Sequence, residues 1–293
     1  MKKEKFPSKE GVVVTGASSG IGFSIATFLA ERGFTVFGTV RKESDAEKLK
    51  NLKISDLIPV YPLDLTEPSH IKTALEFVSE ELKRRGKGLY GIVNNAGGGF
   101  IAPIEIMDLE KFNIEIETRI LGHLRLLQVF LPMVRESHGR IIWITTPSLL
   151  PIPYVSSIHA CDFAINCLAR TLKIELSPWK IPVIMIRCGG IKTPAVEKSY
   201  KELEKFLGNI PENSISQVYS LILKKEIKKL KKFDKNRTDP IEVAKVVFNA
   251  LTSKNPRSRY QVGYMANLSS LLEIFPQSFV DFIMMKRIKN PSS

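Results

Sequence analysis

The sequence predicts an α/β fold, a doubly wound parallel sheet of about seven strands flanked by helices. Short β-branched runs alternate with longer helical stretches, the order that builds parallel sheets. Two of these runs end in turns rich in glycine or asparagine. The 293 residues, 44% hydrophobic and 25% charged, suit a globular chain with one sizeable core. No repeat, linker or low-complexity block divides residues 1–293, so a single domain is expected.

Residues 11–15 (GVVVT) form the first run, suited to a buried central strand. Gly16-Ala17-Ser18-Ser19-Gly20-Ile21-Gly22 follows, then a helix over 23–32 closed by Gly33. Glycines let the backbone turn tightly and approach a pyrophosphate, and the helix N-terminus supplies free N–H groups. A second strand spans 35–40 and runs into Arg41 and Lys42. No carboxylate stands there to hold ribose hydroxyls; two cations, with Ser18, suit a 2′-phosphate, or else simply begin the next helix. The third strand, 58–63, ends in Asp64-Leu65-Thr66, and Thr66 or Ser69 is the expected cap of a helix to residue 85. The fourth, 89–94, enters Asn94-Asn95-Ala96-Gly97, and 109–135 is a long helical region.

Residues 139–144 form the fifth strand, followed by a proline-punctuated loop and a helix through Glu175. The sixth strand, 181–186, leads into Arg187-Cys188-Gly189-Gly190-Ile191-Lys192-Thr193-Pro194. Residues 195–237 follow, a stretch rich in lysine. Its lysine-rich helix carries an imperfect apolar face of Leu221, Ile222, Ile227, Leu230 and Phe233, readable as a lid helix or as a membrane-surface helix. A helix over 239–251 starts at Thr238 or Asp239 with Pro240 in its first turn, and 259–263 is the last strand. The tail, 264–293, is apolar between 268 and 288, but Pro276 breaks it too soon to span a bilayer.

TGASSGIG at 15–22 and NNAG at 94–97 resemble the two motifs of the short-chain dehydrogenase/reductase family, and the resemblance covers nearly the whole chain. It implies a Rossmann-type fold binding a nicotinamide dinucleotide, with residues 195–237 as the family's variable substrate lid. Gly16, Ser18, Ser19, Gly20 and Ile21 would form the phosphate turn, and Arg41 and Lys42 would select NADP(H). Asp64 and Leu65 would lie beside the adenine, Asn95, Ala96 and Gly97 would line a ribose, and Thr193 would touch the carboxamide. Cys188 replaces a proline of the family's segment at that point.

The family's catalytic side chains are a serine, a tyrosine, a lysine four residues later, and an asparagine. Registered on Leu168, Leu172, Glu175 and Leu176, the tyrosine position holds Ile158 and the lysine position Asp162. The asparagine position holds Arg119, and the serine falls on Thr145 or Thr146, with Thr146 preferred because residues 139–144 align without a gap. Isoleucine transfers no proton. Tyr154 and His159 are the nearby substitutes. A Ser157-His159-Asp162 triad is disfavoured because adjacent helix positions do not face one pocket. Cys161 has no base beside it and reads as a buried thiol. Because the family brings these two positions together, the exchange of asparagine for Arg119 and of lysine for Asp162 predicts a salt bridge near the nicotinamide ribose, with Asp162 accepting ribose hydroxyls.

The expected catalytic set is therefore Arg119, Thr146, Asp162 and Tyr154. The leading function is an atypical NADP(H)-dependent oxidoreductase for a lipophilic carbonyl or alcohol. The alternatives are a non-redox isomerase, cyclase or lyase using Arg119 and Asp162, or an inactive nucleotide-binding regulator. No metal spacing joins Cys161, Cys167 and Cys188, and reduced thiols in a cytoplasmic compartment are the expectation. The charged N-terminus has no apolar core behind it and is not read as a secretory signal. The net charge of +13 brings no nucleic-acid motif with it. It fits a solvated lysine surface or peripheral contact with an anionic membrane, and a homodimer or homotetramer is expected.

Overall fold

The computed structural model of the protein describes residues 10–147, 150–208 and 214–287. Its sheet contains β1 (Gly11–Val14), β2 (Thr35–Thr39), β3 (Leu57–Val60), β4 (Leu89–Asn94), β5 (Arg140–Thr145), β6 (Val183–Cys188) and β7 (Arg259–Val262). Every pairing is parallel, in the order β3-β2-β1-β4-β5-β6-β7. The chain winds outward from β1 to β3, returns to β4, and winds the other way. That reversal opens a crevice beyond the carboxyl ends of β1 and β4, the place where such sheets hold ligands.

Side-chain alternation along β1 builds the two layers. Val12 and Val14 face one core, with Ile25 and Leu29 of α1 (Gly20–Ala30), Leu49 of α2 (Glu43–Lys50), and Val243 and Val247 of α9 (Pro240–Thr252). Val13 faces the other, with Ile71 and Val78 of α3 (Pro68–Arg85), Leu126 and Phe130 of α5 (His123–Glu136), and Ile165 of α6 (Ser156–Glu175). Burial on both faces explains why the strands read as unbroken apolar runs.

Several local expectations change. Neither Thr66 nor Ser69 caps α3: Glu67 takes the cap position without a side-chain bond, and Pro68 opens the helix. Thr66 instead donates through N and Oγ1 to Asp64 Oδ1, at 3.0 and 2.8 Å. Asp239 rather than Thr238 caps α9, accepting from Ile241 N at 2.8 Å. The long helical region is α4 (Leu109–Ile116) and α5 joined by a wide π-helical turn, Glu117–Gly122.

The region expected to form a lid comprises α7 (Pro194–Gly208) and α8 (Ser214–Asp234), with residues 209–213 outside the described range. On α8, Leu223 and Ile227 pack against Leu203; of the expected face Ile227 is buried and Ile222, Leu230 and Phe233 are half-buried, whereas Leu221 is 58% exposed and Leu223 takes its place. The tail forms α10 (Ala266–Leu272) and α11 (Gln277–Arg287) on either side of Pro276, and Ile288 lies outside the described residues. Val280 and Met284 pack on Leu150. Buried Arg187 adds an anchor: Nη1 donates to both oxygens of Glu273 at 2.9 Å, and Nη2 donates to Asn166 Oδ1 at 3.1 Å. Among the described residues no helix is long and apolar enough to cross a membrane.

Candidate active site

A cavity of about 900 Å³ runs along the carboxyl ends of the strands, from the glycine loop to the space between α4, α6 and α7. At one end, Gly16, Ser18, Ser19, Gly20 and Ile21 line it. Ser19 is extended and its side chain makes no capping bond to α1, which leaves the N-terminal N–H groups of that helix without a side-chain cap among the described residues. Gly22 is required by close approach: a Cβ there would lie 2.2 Å from Gly16 O and 2.5 Å from Asn95 Nδ2. Asn95 stitches the two motifs together, its Nδ2 donating to Thr15 O at 2.9 Å and Gly16 O at 3.3 Å. Thr15 Oγ1 accepts from Asn95 N and Ala96 N, at 2.8 and 2.9 Å.

Asp64, Leu65, Ala96, Gly97 and Thr193 also border the cavity. Of the two cations after β2, only Arg41 does; it is largely exposed, with Nη1 3.9 Å from Asp64 Oδ2. Lys42 sits at the exposed cap position of α2, away from the cavity, because the chain has already turned into the helix. The sequence reading had not singled out Thr39, Ile144 or Ile191 as lining residues. They are ordinary strand-end residues, and only the sheet order brings them to one crevice.

The expected Arg119–Asp162 pair is present. Arg119 Nη2 donates to Asp162 Oδ1, and Thr146 N donates to Oδ2 at 2.8 Å. Asp162 is 2% exposed and Arg119 12%. The partners come from opposite sides, Arg119 from the π-helical turn and Asp162 from α6. Burial depresses the pKa of Arg119, but the charge and hydrogen bond of Asp162 outweigh it, so the guanidinium is held charged. Nη1 also donates to Gly98 O at 3.1 Å. Arg119 and Thr146 line the cavity, and two of their atoms, Arg119 Nε and Thr146 Oγ1, are buried without a hydrogen-bond partner among the described residues.

A loop of three glycines closes over this centre. Ile158, at the tyrosine position, presses so closely on Gly99 that a Cβ there would meet its Cγ1 at 1.9 Å. Gly99 also has φ +149°, which disfavours a side chain independently. Ser157 straps the loop to α6, accepting from Phe100 N at 3.1 Å and donating to Phe100 O at 2.7 Å. Gly98 N donates to Glu115 Oε2 at 3.1 Å. The sequence reading missed Glu115, which lies four residues before Arg119 and so on the same helical face. Burial raises its pKa against the opposing influence of Arg119 and the Gly98 N–H.

The proposed substitutes for tyrosine fall elsewhere. Tyr154 takes a left-handed turn conformation (φ +69°) and packs against the Leu203–Leu223–Ile227 cluster, outside the cavity lining. Its local backbone turns the ring toward the lid, so the expected catalytic role has no geometric basis. His159 is buried off the cavity lining, with its pKa lowered chiefly by burial. The Ser157-His159-Asp162 triad does not assemble, since Ser157 serves the strap and Asp162 serves Arg119. Cys161 is fully buried, and burial pushes its pKa up to about 11, which suits an inert thiol.

His123 is a further residue the sequence did not flag. Its Nδ1 lies 2.9 Å from Arg119 O and its Nε2 3.0 Å from Thr15 Oγ1. Burial drops its pKa to about 4, so the ring is neutral near pH 7. Nδ1–H then donates to the carbonyl, and Nε2 accepts from Thr15. This chain ties the π-helical turn to the end of β1, beside the glycine loop.

The profile of short chain dehydrogenases matches residues 10–204. The chain belongs to this family. Estradiol 17-beta-dehydrogenase 2 from Mus musculus is 31% identical over 290 residues, spanning 95% of this chain and 74% of the relative. Retinol dehydrogenase 5 from Homo sapiens is 27% identical over 297 residues, spanning 99% and 92%. A solved short chain dehydrogenase from Burkholderia cenocepacia, in complex with NADP, superposes with a TM-score of 0.71 at 20% identity, over 95% of this chain and 98% of that one. The fold is therefore the Rossmann-type fold of a family of oxidoreductases.

Proposed function

We propose that this chain is an NADP(H)-dependent oxidoreductase acting on a lipophilic carbonyl or alcohol, with the Arg119–Asp162 pair in place of the family's tyrosine and lysine. The observation that carries the reading is the unbroken cavity linking an uncapped helix N-terminus in a glycine cradle to the two orphaned polar atoms, Arg119 Nε and Thr146 Oγ1. A dinucleotide fits these features. Its pyrophosphate would meet the free N–H groups of α1, and a ribose hydroxyl would satisfy Arg119 Nε. Arg41 would receive a 2′-phosphate, for which Asp64 is a weak competitor at 3.9 Å. When bound, the nicotinamide supplies or accepts a hydride.

The chain's own residues would then do the following. Arg119 holds the positive charge that the family places on lysine, delivering it from the opposite side of the site. Asp162 fixes the guanidinium and also engages Thr146 N, so its part is anchoring more than ribose binding. Thr146 Oγ1 donates to the substrate oxygen. The exposed Leu109, Ile114, Phe163 and Ile174 of α4 and α6 support a homodimer or homotetramer. The exposed Leu271, Ile274, Phe279 and Phe282 of the tail, with Lys286 beside Phe282, support contact with a membrane surface.

Titration with NADPH and NADH, followed by nicotinamide fluorescence, tests the cofactor. NADPH should bind at least ~10-fold tighter, about 1.4 kcal/mol, and Arg41→Ala should erase the difference. Turnover is then sought with estrone and retinaldehyde. Failure to bind either nucleotide ends the redox reading.

A further inference from the structure

The redox reading leaves one chemical need unmet, because an oxygen that changes between carbonyl and alcohol must exchange a proton and Ile158 has none to give. Most titratable groups around the cavity are committed elsewhere. Asp162 is engaged through both oxygens, and Tyr200 OH donates to Asp234 Oδ2 at 2.5 Å. Cys188 is a buried thiol whose pKa burial drives far up. Glu115 is different. It lines the cavity, one of its oxygens is held by Gly98 N–H, and no described residue donates a hydrogen bond to the other.

Its position relative to the lost tyrosine is close. Gly98 holds Glu115 by its N–H and Arg119 by its C=O, both at 3.1 Å, while Ile158 presses on the next residue, Gly99. The carboxyl of Glu115 and Ile158 therefore rest against successive residues of one loop, and Gly98 links that carboxyl to the guanidinium paired with Asp162. Building on the redox reading above, we propose that Glu115 is the catalytic residue that exchanges the proton with the substrate oxygen in place of the absent tyrosine. In the reducing direction, a bound nicotinamide would supply the hydride, and the substrate oxygen would be left with a negative charge. The Glu115 Oε1–H bond breaks as the new O–H bond forms, its electron pair stays on the carboxylate, and solvent at the cavity mouth reprotonates it. Oxidation runs the same exchange backwards.

The surroundings favour a proton-bearing carboxyl. Burial is the largest influence on Glu115 and raises its pKa, and the negative charge of Glu202 on α7 adds to this. Arg119, the Gly98 N–H and Lys198 of α7 pull the other way without reversing it. Lys111, one turn earlier on α4, and the buried thiol of Cys161 on α6 complete the titratable groups around it.

The test compares wild type, Glu115→Gln and Glu115→Asp in two measurements. NADPH oxidation with estrone and retinaldehyde is followed against pH, and Glu carbons labelled with ¹³C are titrated by NMR in the cofactor-free protein. The expected wild-type rate of reduction falls as pH rises through the Glu115 pKa. Glu115→Gln loses ~100-fold or more of the rate and that pH limb, while NADPH affinity holds and Glu115→Asp recovers part of the rate. The carboxyl resonance missing from Glu115→Gln should titrate above the ordinary glutamate range. A Glu115→Gln variant with wild-type rate and pH profile, or a Glu115 carboxyl that titrates normally, overturns the proposal and leaves the redox reading standing. A wild-type protein that reduces neither probe overturns both.

Discussion

The glycine loop of residues 16–22 and the centre formed by Arg119, Thr146 and Asp162 border the same cavity, but backbone holds the first and side chains hold the second. In the loop, Gly22 leaves room for Gly16 O and Asn95 Nδ2, and no substitution preserves that spacing. In the centre, on the register that the family resemblance implies, three of the four catalytic positions differ in chemical class and the space is still filled. A side-chain site tolerates exchange when charge and volume are replaced together, whereas a backbone site tolerates almost none.

The largest expected effect therefore belongs to the loop. Gly22→Val should abolish NADPH binding, a loss of ~100-fold or more corresponding to about 3 kcal/mol, in fluorescence titration. Retained affinity would mean that the cradle is not backbone-determined.

Breaking the centre should cost stability first. Asp162→Ala leaves a buried guanidinium without its carboxylate and should lower unfolding free energy by about 3–5 kcal/mol, measured by urea denaturation. Arg119→Met combined with Asp162→Leu should recover most of that loss. Equal losses in single and double variants would show that the pair is not coupled.

Rebuilding the centre sharpens the same comparison. Ile158→Tyr with Asp162→Lys sets a lysine against Arg119 and should lose the wild-type reductase activity. Adding Arg119→Asn should allow reductase activity on estrone to rise by ~10-fold or more over the double variant. Activity in the double variant alone would deny that Arg119 blocks restoration.

A smaller effect lies in the link between the two regions. The unfolded chain takes up a proton at His123 near pH 6.5, whereas the folded chain holds off until about 4. Acidification across that window favours unfolding by up to about 3 kcal/mol, and this group has no further effect above it. His123→Gln should flatten the slope of stability between pH 6.5 and 4, read by denaturation at several pH values.

Much of this architecture was legible in the sequence. Strand, glycine turn and helix are local patterns, so β1, α1 and the NNAG loop could be placed from spacing alone. The Arg119–Asp162 bridge was legible too, although its partners are 43 residues apart, because two substitutions of opposite charge fell at positions the family resemblance brings together. Glu115 and His123 carried no such signal. Each is an unremarkable helix residue until folding sets it beside Gly98 or Thr15. Tyr154 was misjudged for a related reason: a left-handed backbone turn aims its ring, and residue spacing does not encode that rotation.

By itself, the sequence determined the doubly wound sheet and the glycine turn after β1, since local periodicity and glycine spacing write these directly, while the exchange of tyrosine and lysine for Ile158 and Asp162 is what the family resemblance implies. Tertiary structure decided the rest. It turned Tyr154 toward the lid, brought Glu115 to the cavity, and tied the tail to β6 through Arg187 and Glu273, 86 residues apart. The reason is physical: a side chain's direction and burial depend on every element packed around it, and those neighbours come from distant parts of the chain.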